Sequence, residues 1–537
     1  MSSNNNQTIS LPFLIFPFLR GALGRWRQES RTVPWFAWVL ALMLFGLPLA
    51  TYWNTTFHHF GLRDDYANLS EAREEPGKII EFTASHARPF YGVLLQQSFK
   101  WINSIHELQW LRLVGAMGLG LVAIMLLGLL RWLGWNWVTA AFTAAMVSLT
   151  PAAQVIASWA TAWPYSVPAI LSLGGFAWAE RWFAGRRKGI GWAGAILLVA
   201  FSALGYQPSS LFYLVGIAAS LPRRREWRLE QNLCWAGRHL AIVFLGLAVA
   251  LLVMKALYAA GVFEASKRLA FEQDPIGKFW WFLKEPLINA INIFLLNDDE
   301  GTPWPLYAVG AGTAALLAAG PAVEWLRGNR WMAGFWLILL ATLPVAAYSV
   351  NFVASERWAT YRTVFTLTTV LLVFLALSWN RLCGLASRKG RFIELAGYAV
   401  ALALAIYLAR MHAYYLIAVP QGEELQILAY AADRVAPRDR PVKIYFVQPD
   451  PQDSPTEINY HDEFGSLSTN ADWTPKEMFK HLMRERFPNL LNRERYYKLR
   501  TGFRPLPGDD QFDLVIDMHK LRKLGPSYME LYVEQMP

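Results

Sequence analysis

The sequence predicts a polytopic α-helical membrane protein of about eleven transmembrane helices, with a small α/β domain outside the membrane at the carboxyl end. Three observations predict it. Apolar runs of roughly 18 or more residues recur between residues 34 and 419, enough to cross a hydrocarbon core of about 30 Å. Of 537 residues 54% are hydrophobic and 17% charged, against about a quarter charged in soluble domains. The net charge of +10 comes from Lys and Arg clusters that alternate between loops, the pattern that orients a membrane protein with its basic loops inward. A nucleic-acid surface would instead gather its cations on one face or arm, so nucleic acid is excluded as a partner. Cys234 and Cys383, the two cysteines, lie beside basic loops and are expected to form neither a disulfide nor a zinc site.

Taken in order, residues 1–33 are expected to be cytoplasmic, because Arg20, Arg25, Arg27 and Arg31 precede the first span. The Leu11–Leu19 run, broken by Pro12 and Pro17, is too short to cross and is expected in the interface. Met1–Gln7 is polar and lacks a cleavable signal's small-residue site, so the first span, about Pro34–Trp53, is retained as an anchor. It delivers an outer loop, 54–110. Spans over about 111–130, 135–153 and 159–183 follow, the last closed by Arg186-Arg187-Lys188. Two shorter crossings, 190–206 and 208–221, meet at the outward tip Tyr206-Gln207-Pro208-Ser209. They are at or below the usual 17–25 residues and fit if that tip is sunk within protein. After a span over 233–260 comes a second outer loop, 261–304. There Phe279, Phe282, Leu283, Leu287, Ile291 and Phe294 share one helical face and predict a helix lying on the outer leaflet. Spans over 305–326, 331–353, 364–379 and 392–419 complete a transmembrane domain of 34–419, with Arg327, Arg330, Arg381, Arg388, Lys389 and Arg391 turned inward.

From 420 to 537 the composition becomes soluble. Pro441–Gln448 and Phe512–Asp517 alternate as strands do, and Glu423–Val435 and Pro475–Phe487 carry helical periodicity. An extracytoplasmic α/β domain of about a hundred residues is within the ordinary range.

Function is carried by what emerges on the outer side. Asp64-Asp65-Tyr66 lies only about ten residues beyond the first span, close to the headgroup plane. A carboxylate there can take the proton from an acceptor hydroxyl, and two adjacent acids push their pKa values apart; the plainer reading is a solvated loop. Arg88-Pro89-Phe90-Tyr91 reads as a snorkelling arginine or as a contact to a phosphate or sugar. Glu356-Arg357-Trp358 with Tyr361-Arg362 puts two arginines in a short outer loop, against the positive-inside trend. They serve as interface anchors or as bidentate ligands of a phosphate. Lys255, near the outer end of its span, either snorkels or reaches the same phosphate. Tyr206-Gln207-Pro208, at the outward tip, reads first as a helix-breaking turn with a satisfied amide, and otherwise puts Gln207 in the lining of a sugar pocket. Asn297-Asp298-Asp299-Glu300 has oxygens enough for a hard cation but not the spacing, and His58-His59 reads as a loop pair rather than zinc ligands. No glycine-rich phosphate loop opens a helix, which argues against a nucleotide site.

An acidic pair with a following aromatic in the first outer loop, after one inward-anchored helix, resembles the GT-C superfamily of lipid-phosphosugar glycosyltransferases. The short spans and the soluble carboxyl-terminal domain are similar to its bacterial members, among them the O-antigen-modifying glucosyltransferases and the aminoarabinose and protein-mannosyl transferases. The resemblance covers the chain to about residue 420. It implies that a sugar moves, with inversion, from a polyprenyl monophosphate to a hydroxyl of an envelope glycan, lipid or protein at the outer face of a bacterial inner membrane. It carries the base to Asp64, with Asp65 beside it. The family's commoner form is Asp-Glu, so the division of labour between the two stays open. Arg88, Arg357, Arg362 and Lys255 become candidates for the departing phosphate, with Tyr66, Gln207, Glu356 and Tyr361 around them. No metal ligand set is implied, and a divalent ion stays open. Two other classes remain: a flippase for a polyprenyl-linked glycan, and an oligosaccharide ligase or polymerase using a polyprenyl diphosphate.

Overall fold

The structure is a computed structural model, and it describes residues 35–183, 188–266, 270–299, 301, 303–386, 389–435, 440–450, 453–461, 463–489, 493–504, 512–521 and 532–535. The expectations for residues 1–33, for Arg186-Arg187, for Glu300 and for Arg388 fall outside these.

Six helices are long and apolar enough to cross a membrane, and a seventh span results if Trp137–Val147 and Pro151–Ser158, bent by 54°, count as one. The six include Leu108–Trp132, Leu229–Ala259, Trp304–Leu326 and Arg330–Ala347. Of the other expected crossings, the one over 159–183 holds an 18-residue helix, Ser166–Phe183, and the rest are shorter. Trp35–Thr51 and Gly189–Gly205 are apolar helices of fewer than 18 residues, and the crossing expected over 208–221 is two helical pieces, Gln207–Ser210 and Tyr213–Ala219. Pro208 and the buried tip account for the break, since a freed backbone group survives at membrane depth only inside protein.

Burial sorts the helices. The Tyr361–Cys383 span is 83% buried, whereas Leu229–Ala259 is 28% buried and the rod Gly390–Ala432 17%. The first is therefore the axis of the bundle, and the other two turn most of their apolar surface outward, as helices facing lipid do. The expected boundary near 420 is not a break in this rod. It runs through a π-helical stretch, His412–Ala418, into Val419–Ala432, so the expected helix over Glu423–Val435 continues the last span. The expected outer-leaflet helix is likewise two pieces, Pro275–Lys284 and Pro286–Ile291, because Pro286 cannot donate within a helix.

The turns of the bundle form two contact sets at opposite ends. One joins loop 54–110 to Thr161 and Gln207, and loop 261–304 to the segments around Ala354 and His461, with Ser266 N donating to Ser85 O between the two loops. The other joins Glu180 to Arg224, Glu324 to Arg225 and Arg381, and Glu394 to Thr139 and Asn380. The expected outward turns fall in the first set and the inward turns in the second.

The carboxyl-terminal domain contains a four-stranded sheet, order β2-β1-β3-β4. Strand β1 (Val442–Val447) pairs in parallel with β2 (Tyr497–Gly502) and β3 (Leu514–Asp517), and β4 (Val533–Gln535) runs antiparallel to β3. Helix Thr474–Arg486 lies on Asp64–Glu74. His481 Nε2 is 2.9 Å from the Tyr66 carbonyl, Ser70 donates to Glu477 at 2.9 Å, and Lys480 and Arg484 both pair with Glu74. The small domain thus braces the loop that carries the acidic pair. Arg112 braces it from below. Fully buried, it donates to the carbonyls of Thr56 (3.1 Å), Phe60 (2.8 Å) and His58 (2.6 Å), satisfying backbone groups that no helix or strand pairs.

Candidate active site

Asp64 and Asp65 open the helix Asp64–Glu74, and adjacent helical positions point about 100° apart. Asp65 is fully buried: Oδ2 accepts from Leu62 N (2.9 Å), and Oδ1 from Thr161 N (2.8 Å) and Thr161 Oγ1 (2.6 Å). Burial pushes its carboxyl up to about 6, against the lowering effect of the Thr161 and Leu62 hydrogen bonds and of Arg112. Tyr66 is also buried, its hydroxyl donating to Gly61 O and accepting from Gly61 N, both at 3.0 Å. Arg63, at φ 43°, docks on the small domain through Ser468 Oγ (2.9 Å) and Ser466 Oγ (2.8 Å). These three residues hold the loop, and the acid left exposed is Asp64.

A ladder of tyrosines stands beside it. Tyr91 stacks on Tyr165 (5.3 Å between ring centroids), and Tyr165 on Tyr206 (3.8 Å, 13° between planes). Tyr91 donates to the carbonyl of Thr161 at 2.9 Å, the residue that also holds Asp65. Two arginines approach the ladder. Arg88 Nε donates to Gln207 Oε1 (2.9 Å), Gln207 Nε2 donates to Ala87 O (2.9 Å), and the Arg88 guanidinium lies 5.0 Å from the Tyr206 ring centre. Arg362 covers the Trp159 ring at 4.6 Å, and its Nη1 lies 3.6 Å from Glu463 Oε1. Glu463, fully buried, also accepts from Tyr361 N (2.7 Å) and Arg362 N (3.3 Å). Burial raises its carboxyl to about 6, and Arg362 opposes that rise. Asp65, next to Asp64, and Tyr91 both bind Thr161, Arg88 and Gln207 meet at Tyr206 on the same ladder, and Arg362 covers Trp159, two residues before Thr161. Asp64, Arg88, Arg362 and Gln207 therefore share one cluster. Within it Arg362 Nη1 and Trp159 Nε1 are buried donors with no hydrogen-bond partner among the described residues.

Other residues singled out from the sequence lie elsewhere. Arg357 is exposed and pairs with Asp274 (3.3 Å) and Glu272 (3.8 Å). Glu356 is exposed, and its carbonyl accepts from Lys278 Nζ (2.6 Å). Lys255 is exposed on Leu229–Ala259, and no contact joins it to the cluster among the described residues. The Tyr361 hydroxyl accepts from Asn297 N (2.7 Å), and its ring packs on Tyr460 and Phe464, which makes it part of the joint with the small domain. Thr161, Tyr165, Trp159 and Glu463 were not singled out. The signal for the first three was the run Trp159-Ala-Thr161-Ala-Trp-Pro-Tyr165, dense in aromatics and hydroxyls at an outward turn.

In the acidic run at Asn297, Asp298 and Asp299 bind the 459–461 segment of the small domain. Asp299 N donates to Asn459 O (2.9 Å), Asp298 Oδ1 accepts from Asn459 N (3.2 Å) and Asp299 Oδ2 from His461 N (3.0 Å). His461 also lies 2.8 Å from Glu285 Oε1 and 3.3 Å from Asp299 Oδ1. Burial alone would lower the imidazole, but the hydrogen bonds and charges of Asp299 and Glu285 outweigh it and raise it to about 10. A folded-state value above the ordinary 6.5 means stability fully present below that value and lost as pH rises through about 10. Protease sensitivity of the 456–464 segment is expected to increase between pH 8 and 10.5 in the wild type and to stay flat in His461→Gln; a flat wild-type profile would refute the assignment.

A hard divalent ion wants several oxygen ligands. Both Asp65 oxygens are engaged by protein donors, so the acidic pair does not fit one. Among the described residues the group with ligand atoms close enough for an ion is Asp450, Asp453 and His519, at the carboxyl ends of β1 and β3.

No family model matches the chain, and no curated protein matches it. Among solved structures, it is similar to the crystal structure of ArnT from Cupriavidus metallidurans in the apo state, at 14% identity and a TM-score of 0.39 over 86% of this chain and 89% of that one.

Proposed function

We propose that the chain is a GT-C-like integral membrane glycosyltransferase that moves a sugar from a polyprenyl monophosphate to a hydroxyl acceptor at the outer face of a bacterial inner membrane. The observation that carries this reading is the cluster itself. An exposed carboxylate, Asp64, shares a tyrosine-walled site with Arg88 and with two buried donors that make no hydrogen bond among the described residues, Trp159 Nε1 and Arg362 Nη1, the latter 3.6 Å from Glu463 Oε1. Unpartnered buried donors are costly and fit a ligand rich in acceptor oxygens, as a phosphate is. Flat aromatic faces suit the apolar face of a pyranose.

In this reading Asp64 takes the proton of the acceptor hydroxyl as its oxygen attacks the anomeric carbon. The bond from that carbon to the phosphate oxygen breaks, the electron pair leaves with the polyprenyl phosphate, and the anomeric centre inverts. Arg362 and Arg88 stabilise the charge that grows on the phosphate. No proton need reach so weakly basic a leaving group, which explains how one carboxylate suffices. Arg357, Lys255 and Glu356 have no part in it. Asp65, Tyr66 and Tyr361 hold the scaffold, and Gln207 orients Arg88. The small domain, fixed to the Asp64 helix, is placed to meet the acceptor.

The test is a density map of the full chain in nanodiscs with polyprenyl phosphate added. The headgroup is expected within hydrogen-bonding distance of Arg362. A headgroup at the opposite end of the bundle, or beside Arg357, would overturn the reading.

A further inference from the structure

At the end of the bundle away from Asp64 lies a cavity of about 590 Å³, within the size range of small-molecule pockets. Its walls are the turn that carries Arg131 and Trp137, the end of the central helix at Asn380 and Cys383, and the start of the peripheral rod at Arg391 and Glu394. Its charge is mainly positive. The Arg131 guanidinium lies 4.2 Å from the Trp137 ring centre and donates through Nη1 to the Trp135 carbonyl, and its Nε is buried with no hydrogen-bond partner among the described residues. Arg391 and the neighbouring Lys389 are exposed. The one carboxylate among the described lining residues, Glu394, is engaged by the wall: its Oε1 accepts from Thr139 Oγ1 (3.0 Å) and Asn380 Nδ2 (2.7 Å).

Around this charged floor the rim is apolar. Val138 and Leu395 line the opening, and Phe392 and Ile393 beside them are exposed. Phe392, Ile393 and Leu395 are exposed in the first turns of the rod, a span that is mostly unburied. Cations over an indole ring, bordered by lipid-facing side chains at the end of a span, suit an anion delivered on an acyl chain better than one arriving from water. Guanidinium groups favour phosphate through paired N–H donors.

We propose that this cavity binds the phosphate of a glycerophospholipid headgroup in the leaflet opposite the candidate active site. The lipid would fill the junction of the central helix, the Trp137 turn and the rod that continues into the small domain. The proposal does not depend on the glycosyltransferase reading.

The test is native mass spectrometry of the delipidated full chain, titrated with phosphatidylglycerol, with diacylglycerol, and with phosphatidylglycerol plus excess inorganic phosphate. Wild type is expected to hold one phosphatidylglycerol about tenfold more tightly than Arg131→Gln/Arg391→Gln, the equivalent of one charge-assisted hydrogen bond. Arg391→Glu alone, at an exposed position that folding tolerates, is expected to weaken binding as well. Diacylglycerol should not occupy the site, and inorganic phosphate should not displace the lipid. Equal phosphatidylglycerol affinity in wild type and Arg391→Glu would overturn the proposal. Displacement by inorganic phosphate would overturn the lipid as the source and leave a site for a soluble anion.

Discussion

Asp64→Asn is expected to lower transfer by about 10²- to 10⁴-fold, the contribution of a positioned general base, and to leave thermal stability within about 1 kcal/mol, the scale of one charge at a helix N-terminus. Asp65→Asn is expected to do the reverse. Its carboxylate accepts from two backbone N–H groups and a hydroxyl with both oxygens, whereas an amide offers one acceptor and aims N–H donors at the rest. Leaving buried donors unpaired costs about 1–3 kcal/mol. Product formation at saturating donor, measured beside thermal unfolding in detergent, separates the two profiles. Near-normal turnover in Asp64→Asn would remove the base from the mechanism.

That division was not legible in two adjacent letters. Each acid could have been the buried one, and the choice is made by Thr161, 96 residues away. The same holds for Arg357 and Arg362. Both sit in one short loop, but Arg357 is drawn to Glu272 and Asp274 while Arg362 enters the first turn of the central helix opposite Glu463. Partners brought by folding decided what the residue types could not. The long spans were legible because length and apolarity are local quantities. Strand β2 was not: Tyr497–Gly502 keeps a partly exposed, charged edge and carries no apolar run. The continuity of the last helix past residue 420 was not legible for a related reason. Composition changes near residue 420, while the backbone continues as one rod whose turns beyond that point, at Leu425 and Leu428, are buried where those before it are mostly not.

Arg362→Met is expected to abolish donor use, and read alone it would be ambiguous. Removing one partner of a buried ion pair leaves an uncompensated charge and costs about 3–5 kcal/mol. Glu463 is fully buried and faces Arg362 at 3.6 Å, so the single variant should lose stability and activity together. Adding Glu463→Gln removes the stranded charge, while the amide oxygen can still accept from Tyr361 N. The double variant is therefore expected to regain most of its thermal stability and none of its transfer. If the guanidinium only braces the Glu463 loop, transfer should return with stability, because the brace is no longer strained. If it holds the departing phosphate, no rearrangement of Glu463 replaces the lost donors. Arg362→Lys refines the test: it keeps the charge but gives up the planar fork, so it should retain the fold and lose kcat more than affinity, as expected of a contact that tightens when the phosphate gains charge.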